Sequence, residues 1–228
     1  MIRSVMFDFG GVITSSPFEA FARYEREAGL PAGFIRLVNS TDPDSNAWSH
    51  LERGRLDVDG FAAAFEEEAL RLGHRVDGRE VLGMLGGELR PAMVEAVRRC
   101  AERFETACVT NNFSLGDVPT PPEVAAVFDL FDVVVESRVV GVRKPEPRFY
   151  QLACEAVGVD PGEVVYLDDL GINLKPARAM GMHTIKVTDP DVALAELSAA
   201  TGLALGDGGA HNGGVPPGGV PPGGVPPG

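Results

Sequence analysis

The sequence predicts an α/β protein: a doubly wound parallel sheet with a helical cap inserted after the first strand. Three observations carry this. Short apolar runs alternate with amphipathic stretches, the pattern of strands joined by crossover helices. One long segment after the first run shows helical patterns and no convincing strand. Residues suited to chemistry stand at the ends of the apolar runs, where open α/β sheets bind their ligands.

The apolar runs cover residues 2–7, 106–109, 131–135, 164–167 and 183–187. Each is apolar or β-branched almost throughout, as expected for strands buried on both faces. Helical patterns span 91–104, 123–128, 146–157 and 173–180. Right-handed crossovers would make the sheet parallel. Between the first two runs, 18–28 and 58–72 are amphipathic, and 46–53 is a shorter helix holding the single tryptophan, Trp48. A structureless loop of that length is foreign to a compact domain, so a helical cap over the sheet's C-terminal edge is expected. The expected organisation is a core of 1–15 and 90–205, a cap of 16–89 and a tail of 206–228. The tail is Gly/Pro-rich and ends in three copies of Gly-Gly-Val-Pro-Pro. It holds too little apolar surface to offset its ordering entropy, and disorder is expected there.

A formal net charge of -13 argues against nucleic acid or an anionic membrane surface as partner. A small anionic substrate would need local positive potential from a metal, a lysine or backbone amides. Lysines are few: Lys144, Lys175 and Lys186. Cys100, Cys108 and Cys154 lie apart in apolar patterns and read as reduced core residues of a cytoplasmic protein. Scattered histidines and the lack of a Cys-x-x-Cys pair argue against zinc. The first apolar run is too short for a signal peptide or a membrane span. A monomer or homodimer is expected.

Four run ends suit one reaction. Asp8 follows the first run and precedes Gly10 and Gly11, which let the backbone turn sharply and approach a ligand. Its carboxylate can attack phosphorus. Thr110-Asn111-Asn112 ends the second run, offering a hydroxyl and backbone amides to phosphoryl oxygens. Lys144 precedes Pro145, so it sits in extended backbone and can neutralise a phosphate and a carboxylate. Asp168-Asp169 ends the fourth run; adjacent acids repel unless a cation shares them, and hard oxygen ligands suit Mg2+. Singly, each could be something plainer: a loop-capping Asp, a turn, a solvated lysine, two solvated acids. Their order along one reaction cycle favours the joint reading.

This set resembles the haloacid dehalogenase-like superfamily, whose ordered motifs are Asp-x-Asp-x-Thr/Val, Ser/Thr, Lys-Pro and an acidic pair. Here they read Asp8 to Val12, Thr110, Lys144-Pro145 and Asp168-Asp169. The likeness covers roughly residues 2–200. The stretch Leu167-Asp168-Asp169-Leu170-Gly171-Ile172-Asn173 and the Thr110-Asn111-Asn112 run look like the N-terminal phosphatase domain of soluble epoxide hydrolase and the related domain of some acyl-CoA dehydrogenases. The resemblance implies a five-stranded Rossmann-like core and a helical cap. It implies Mg2+ bound by Asp8, the Gly10 carbonyl and Asp169, with Asp168 behind them. It also implies that Thr110 and Asn111 bind phosphate and that Lys144 orients Asp8.

One departure matters. Family phosphatases usually carry an Asp, the general acid and base, where this chain has Gly10. General acid–base catalysis is worth about 10²–10⁴-fold. The expected function is a slow Mg2+-dependent phosphatase acting on a small organic phosphate monoester through an aspartyl phosphate on Asp8. Two alternatives stay open: a phosphate- or metabolite-binding module without turnover, and a 2-haloacid dehalogenase. Thr14, Ser15, Ser16, Phe18 and Trp48 are the candidates for substrate recognition, with Trp48 also explicable as cap core.

Overall fold

The computed structural model describes residues 1–113 and 119–205; the expectation of a disordered tail lies outside these. Five strands form one sheet: β1 (Ser4–Phe7), β2 (Glu105–Thr110), β3 (Val133–Glu136), β4 (Val164–Asp168) and β5 (His183–Lys186). Their order is β3-β2-β1-β4-β5 and every pairing is parallel. Between β1 and β2 run α1 (Phe18–Glu27), α2 (Phe34–Ser40), α3 (Ala47–Glu52), α4 (Val58–Arg71), α5 (Gly78–Gly83) and α6 (Pro91–Ala101). The later helices are α7 (Pro122–Phe128), α8 (Ser137–Val140), α9 (Pro147–Val157), α10 (Gly171–Ala179) and α11 (Pro190–Thr201).

Strand alternation divides the core. Val5, Phe7, Cys108, Val165 and Leu167 face α6 and α11, meeting Met93, Val97, Leu194 and Leu197. Met6, Ala107, Val109 and Tyr166 face the other way, against Phe149 and Ala153 of α9 and Leu174 and Ala177 of α10. The three inner strands are buried almost throughout. The outer strands are not buried on both faces as expected: Val134 of β3 and the ends of β5 are exposed. Each outer strand has one strand neighbour and stands at the margin of the helical layers.

The inserted helices have a separate apolar cluster built on Phe21, Phe34, Ile35, Leu51, Phe61, Phe65 and Val81. Three begin at side-chain caps: Asn46 accepts from Ser49 N–H, Asp57 from Gly60 N–H and Asp77 from Arg79 and Glu80 N–H. Buried Glu25 accepts from Gly33 and Ile35 N–H at 2.7 and 2.9 Å and so closes the start of α2. Trp48 packs edge-on to Phe61 with centroids 5.2 Å apart, within this cluster. α2 and α5 are too short for a helical period to register in sequence. In α11, alanines blur the contrast between faces.

Entry to and exit from the inserted helices run side by side. Thr14 and Leu89 form an antiparallel bridge. Ser15 N–H donates to Glu88 O at 2.8 Å, and Arg90 N–H to Ile13 O at 2.8 Å. This pairing roots the helices at the sheet's C-terminal edge, just beyond Asp8. The three cysteines are free and buried. Among the described residues no helix is long and apolar enough to cross a membrane.

Phe65 is fully buried and stacks on Phe61 at 5.3 Å. Its replacement by Ala should cost about 3–5 kcal/mol in a urea titration, because a rigid helical cluster cannot collapse into the void.

Candidate active site

The direction in which the chain lays down strands reverses at β1: β2 and β3 lie to one side, β4 and β5 to the other. A crevice therefore opens beyond the ends of β1 and β4. Phe7 pairs with Leu167, which places Asp8 beside Asp168. Asp8 continues the ladder, its N–H donating to Leu167 O at 2.9 Å.

Beyond Asp8 the backbone makes one wide turn, closed by Thr14 N–H to Phe9 O at 3.1 Å. The two glycines inside it differ. Gly11 has φ +76°, and a Cβ there would lie 2.3 Å from Asp169 Oδ2. Only glycine lets that carboxylate lie over the turn. Gly10 has φ -68° and ψ 130°, ordinary for any residue, and a Cβ there would meet nothing within 4 Å. The bare position is thus not imposed by packing.

Lys144 joins the motifs. Its side chain is 1% exposed, and its Nζ stands 2.7 Å from Asp8 Oδ2 and 2.9 Å from Asp168 Oδ2. Asp168 is fully buried and heavily committed. Besides Lys144 it accepts from the Tyr166 hydroxyl, from Asn173 Nδ2 at 3.1 Å and from Leu170 N–H at 2.8 Å. Its lone pairs serve the scaffold, which fits a supporting role behind the metal ligands. Asp8 Oδ1 accepts from Phe9 N–H at 2.6 Å. Asp8, Asp168 and Asp169 each bring a carboxylate oxygen within 4.8 Å of the others.

Three carboxylates face one contacting ammonium, with Arg90 farther off beside Asp169, so acidic groups outnumber basic ones. Burial pushes the Asp8 carboxyl well above its usual range; Lys144 opposes this, while Asp168 and Asp169 add to it. Asp169 is pushed up to about 6, first by burial and then by Asp168. Burial also disfavours the Lys144 ammonium, but Asp168 and Asp8 hold its pKa above the ordinary lysine value. Hard oxygen donors with acidic groups in excess suit a divalent cation, and Asp8, Asp169 and the Gly10 carbonyl are the residues that could hold it.

The remaining expected residues divide. Thr110 is buried at the end of β2. The Asn111 side chain is turned to the protein: Oδ1 accepts from Lys144 N–H at 2.9 Å and Nδ2 donates to Lys144 O at 3.1 Å. That leaves its backbone amide as the group that could meet an anion. Ser15 Oγ accepts from Glu88 N–H, and Thr14 Oγ1 donates to Ser15 O, so both hydroxyls serve the paired linker. Phe18 is half-buried beneath the Arg36 guanidinium.

Sequence reasoning gave no role to Tyr166, Asn173, Glu52 or Arg143. Tyr166 was legible: a hydroxyl two residues before Asp168 on a strand shares its face. Asn173 lies within the fourth motif stretch. Glu52 and Arg143 meet across long sequence distance, with Arg143 Nε 2.6 Å from Glu52 Oε2, and no local pattern reveals them.

The family model described as haloacid dehalogenase-like hydrolase matches residues 2–181. Mouse acyl-CoA dehydrogenase family member 10 is 35% identical over 89% of this chain and 19% of its own length. Pig bifunctional epoxide hydrolase 2 is 29% identical over 90% of this chain and 40% of its own. The chain thus spans well under half of these two relatives. A phosphatase of Mycobacterium tuberculosis is 31% identical over 82% of this chain and 87% of its own. Among solved structures, a HAD-like hydrolase from Porphyromonas gingivalis superposes with TM-score 0.62 at 20% identity, covering 88% of this chain and 98% of its own. A HAD enzyme from Bacteroides thetaiotaomicron, in complex with magnesium and inorganic phosphate, gives 0.56 at 20%, covering 82% and 94%. An L-2-haloacid dehalogenase from Xanthobacter autotrophicus gives 0.56 at 21%, covering 88% and 84%. These structural likenesses establish the fold alone.

Replacing Lys144 by Met should cost about 3–5 kcal/mol at neutral pH, because two buried carboxylates lose their cation. Without the ammonium, the folded-state pKa of Asp8 rises further above its unfolded value. Stability from that group is then present at acid pH and lost as pH rises. Urea midpoints should therefore show the deficit shrinking towards about pH 4.

Proposed function

Because the chain belongs to the haloacid dehalogenase-like hydrolases, we propose that it hydrolyses a small organic phosphate monoester, with Asp8 as nucleophile and Mg2+ as cofactor. The carrying observation is the cluster of Asp8, Asp168, Asp169 and Lys144, in which acidic groups outnumber the ammonium they contact. Phosphatase relatives and a HAD neighbour holding magnesium and phosphate support the same reading.

The Asp8 carboxylate forms a bond to phosphorus as the ester P–O bond breaks, and the electron pair stays on the leaving oxygen. Water then cleaves the aspartyl phosphate, releasing phosphate and restoring the carboxylate. Lys144 favours the ionised form of Asp8 and aligns it, and the Thr110 hydroxyl and Asn111 amide bind phosphoryl oxygens. Mg2+ bound by Asp8, Asp169 and the Gly10 carbonyl would offset charge on the phosphoryl group. The inserted helices act as a cap that selects the organic portion.

At Gly10 no side chain delivers a proton to the leaving oxygen. Good leaving groups, such as aryl or acyl phosphates, therefore suffer least. The rate should fall steeply with rising leaving-group pKa; a flat dependence would show that another residue supplies the proton. Gly10→Asp fits the open space and should raise turnover of alkyl phosphates by about 10²–10⁴-fold, with little change for p-nitrophenyl phosphate. Asp8→Asn should abolish turnover, and retained activity would overturn the mechanism. A binding module without turnover is the second reading, favoured by the bare Gly10. It would show Mg2+-dependent phosphate-ester binding and no product from any leaving group.

Cation binding must also depend on pH. Asp169 titrates near 6 in the folded chain, above its ordinary value of about 3.9. Its contribution to stability is present below about pH 4 and lost as pH rises through about 6. A bound cation reverses that loss. In thermal unfolding, Mg2+ should raise Tm over a chelator control more at about pH 7.5 than at about pH 5. Equal rises would count against ligation by Asp169.

A further inference from the structure

The geometry points to Glu52 as a positioning residue for the reaction: it links the inserted helices, through Asn111, to the backbone of Lys144. This rests on reading Asp8 and Lys144 as the catalytic pair.

Glu52 ends α3 and is 6% exposed, although it belongs to the inserted segment. A carboxylate buried this far from water must be satisfied by specific donors. Arg143 Nε stands 2.6 Å from Oε2, and Asn111 Nδ2 donates to the same oxygen at 3.2 Å. The Glu52 backbone carbonyl accepts from Ser137 Oγ at 2.6 Å. All three partners come from the sheet side of the molecule.

Asn111 is the middle of the link. Its amide pairs with both backbone groups of Lys144, occupying the N–H and the C=O as a neighbouring strand would. The same Nδ2 reaches Glu52. Arg143 Nε also donates to Lys144 O at 3.2 Å, so the two groups fixing the Lys144 backbone are the two held by Glu52. Lys144 then carries its Nζ to Asp8 and Asp168. Without Glu52, Asn111 and Arg143 lose their shared acceptor, the Lys144 backbone gains freedom, and alignment of the ammonium on Asp8 loosens. Loss of alignment lowers kcat more than substrate affinity.

The next residue supplies a control. Arg53 fastens the same helix end to the same loop, with Nη2 2.8 Å from Glu146 Oε1, but bonds neither Asn111 nor the Lys144 backbone. A general loosening of the helices would follow from Arg53→Ala as readily as from Glu52→Ala. A specific link would not.

The test uses the full chain carrying Glu52→Ala, Glu52→Gln or Arg53→Ala. It reads hydrogen exchange at the Lys144 amide, and kcat and KM for p-nitrophenyl phosphate with Mg2+. Glu52→Ala should speed Lys144 exchange on the order of tenfold. It should lower kcat about tenfold with KM little changed. Glu52→Gln should recover most of both, since its amide oxygen still accepts from Asn111, and Arg53→Ala should leave both near wild type. The inference is overturned if Arg53→Ala matches Glu52→Ala, if Lys144 exchange does not change, or if only KM moves. Should Glu52→Ala fail to fold, Glu52→Asp, which withdraws the carboxylate by one methylene, reads the link: faster Lys144 exchange supports it and unchanged exchange overturns it. If the wild type turns over no phosphate ester, the phosphatase reading fails while the exchange measurement still decides the link.

Discussion

The site depends on one buried ammonium. Lys144 lies between Asp8 and Asp168 with its side chain 1% exposed, and each of the three would be costly there without the others. The fold is arranged to bring them together. Parallel pairing of β1 with β4 sets the carboxylates side by side, and the loop after α8 carries the lysine in from a third direction. Asn111 fixes that loop's backbone, while Tyr166, Asn173 and Leu170 N–H complete the shell of Asp168. Most of these contacts end on Asp168 and not on Asp8, so much of the cluster is structural support.

Residues adjacent in sequence have been given opposite tasks. Asp168 is saturated with donors and fully buried, whereas Asp169 lies over Gly11 and is partly open. A strand sends successive side chains to opposite faces, so a pair at a strand end can divide between support and ligation. Gly10 and Gly11 divide in a similar way. Gly11 is demanded by its φ of +76° and by Asp169 above it, but nothing in the packing demands Gly10. Packing therefore explains the glycine at position 11 and leaves the one at position 10 unexplained.

Much of this is legible in the amino-acid order alone. All five strands are readable because short β-branched apolar runs between amphipathic stretches suit buried strands better than helices. The four chemical positions follow because each stands where such a run ends or in the loop just beyond it. Three kinds of feature are not legible. The exposure of β3 and β5 depends on sheet order, which alternation does not encode. α2 and α5 are short, and their stability comes from Phe34, Ile35 and Val81 packing into a shared cluster and not from local propensity. The Glu52 contacts with Asn111 and Arg143 join distant stretches of chain, and single residues of common type leave no local trace of such pairing. The Thr110-Asn111 run reads as a hydroxyl followed by free backbone amides; that the Asn111 side chain pairs with the Lys144 backbone has no local trace.

The same charge imbalance connects stability and function. A buried cluster with acidic groups in excess is poor at holding itself together, as the raised pKa values of Asp8 and Asp169 express, burial first and neighbouring acids after it. Filling it with hydrophobic residues would make a firmer core, and a second buried lysine would reduce the imbalance. Neither would leave carboxylates able to meet a cation. The surrounding fold carries that cost through saturated Asp168, the two-sided grip on the Lys144 backbone and the separate apolar cluster of the inserted helices. A site strained by its own charge before a ligand arrives binds a cation with part of the driving force already stored as electrostatic repulsion. That is the physical reason for expecting the metal and the fold to stabilise one another.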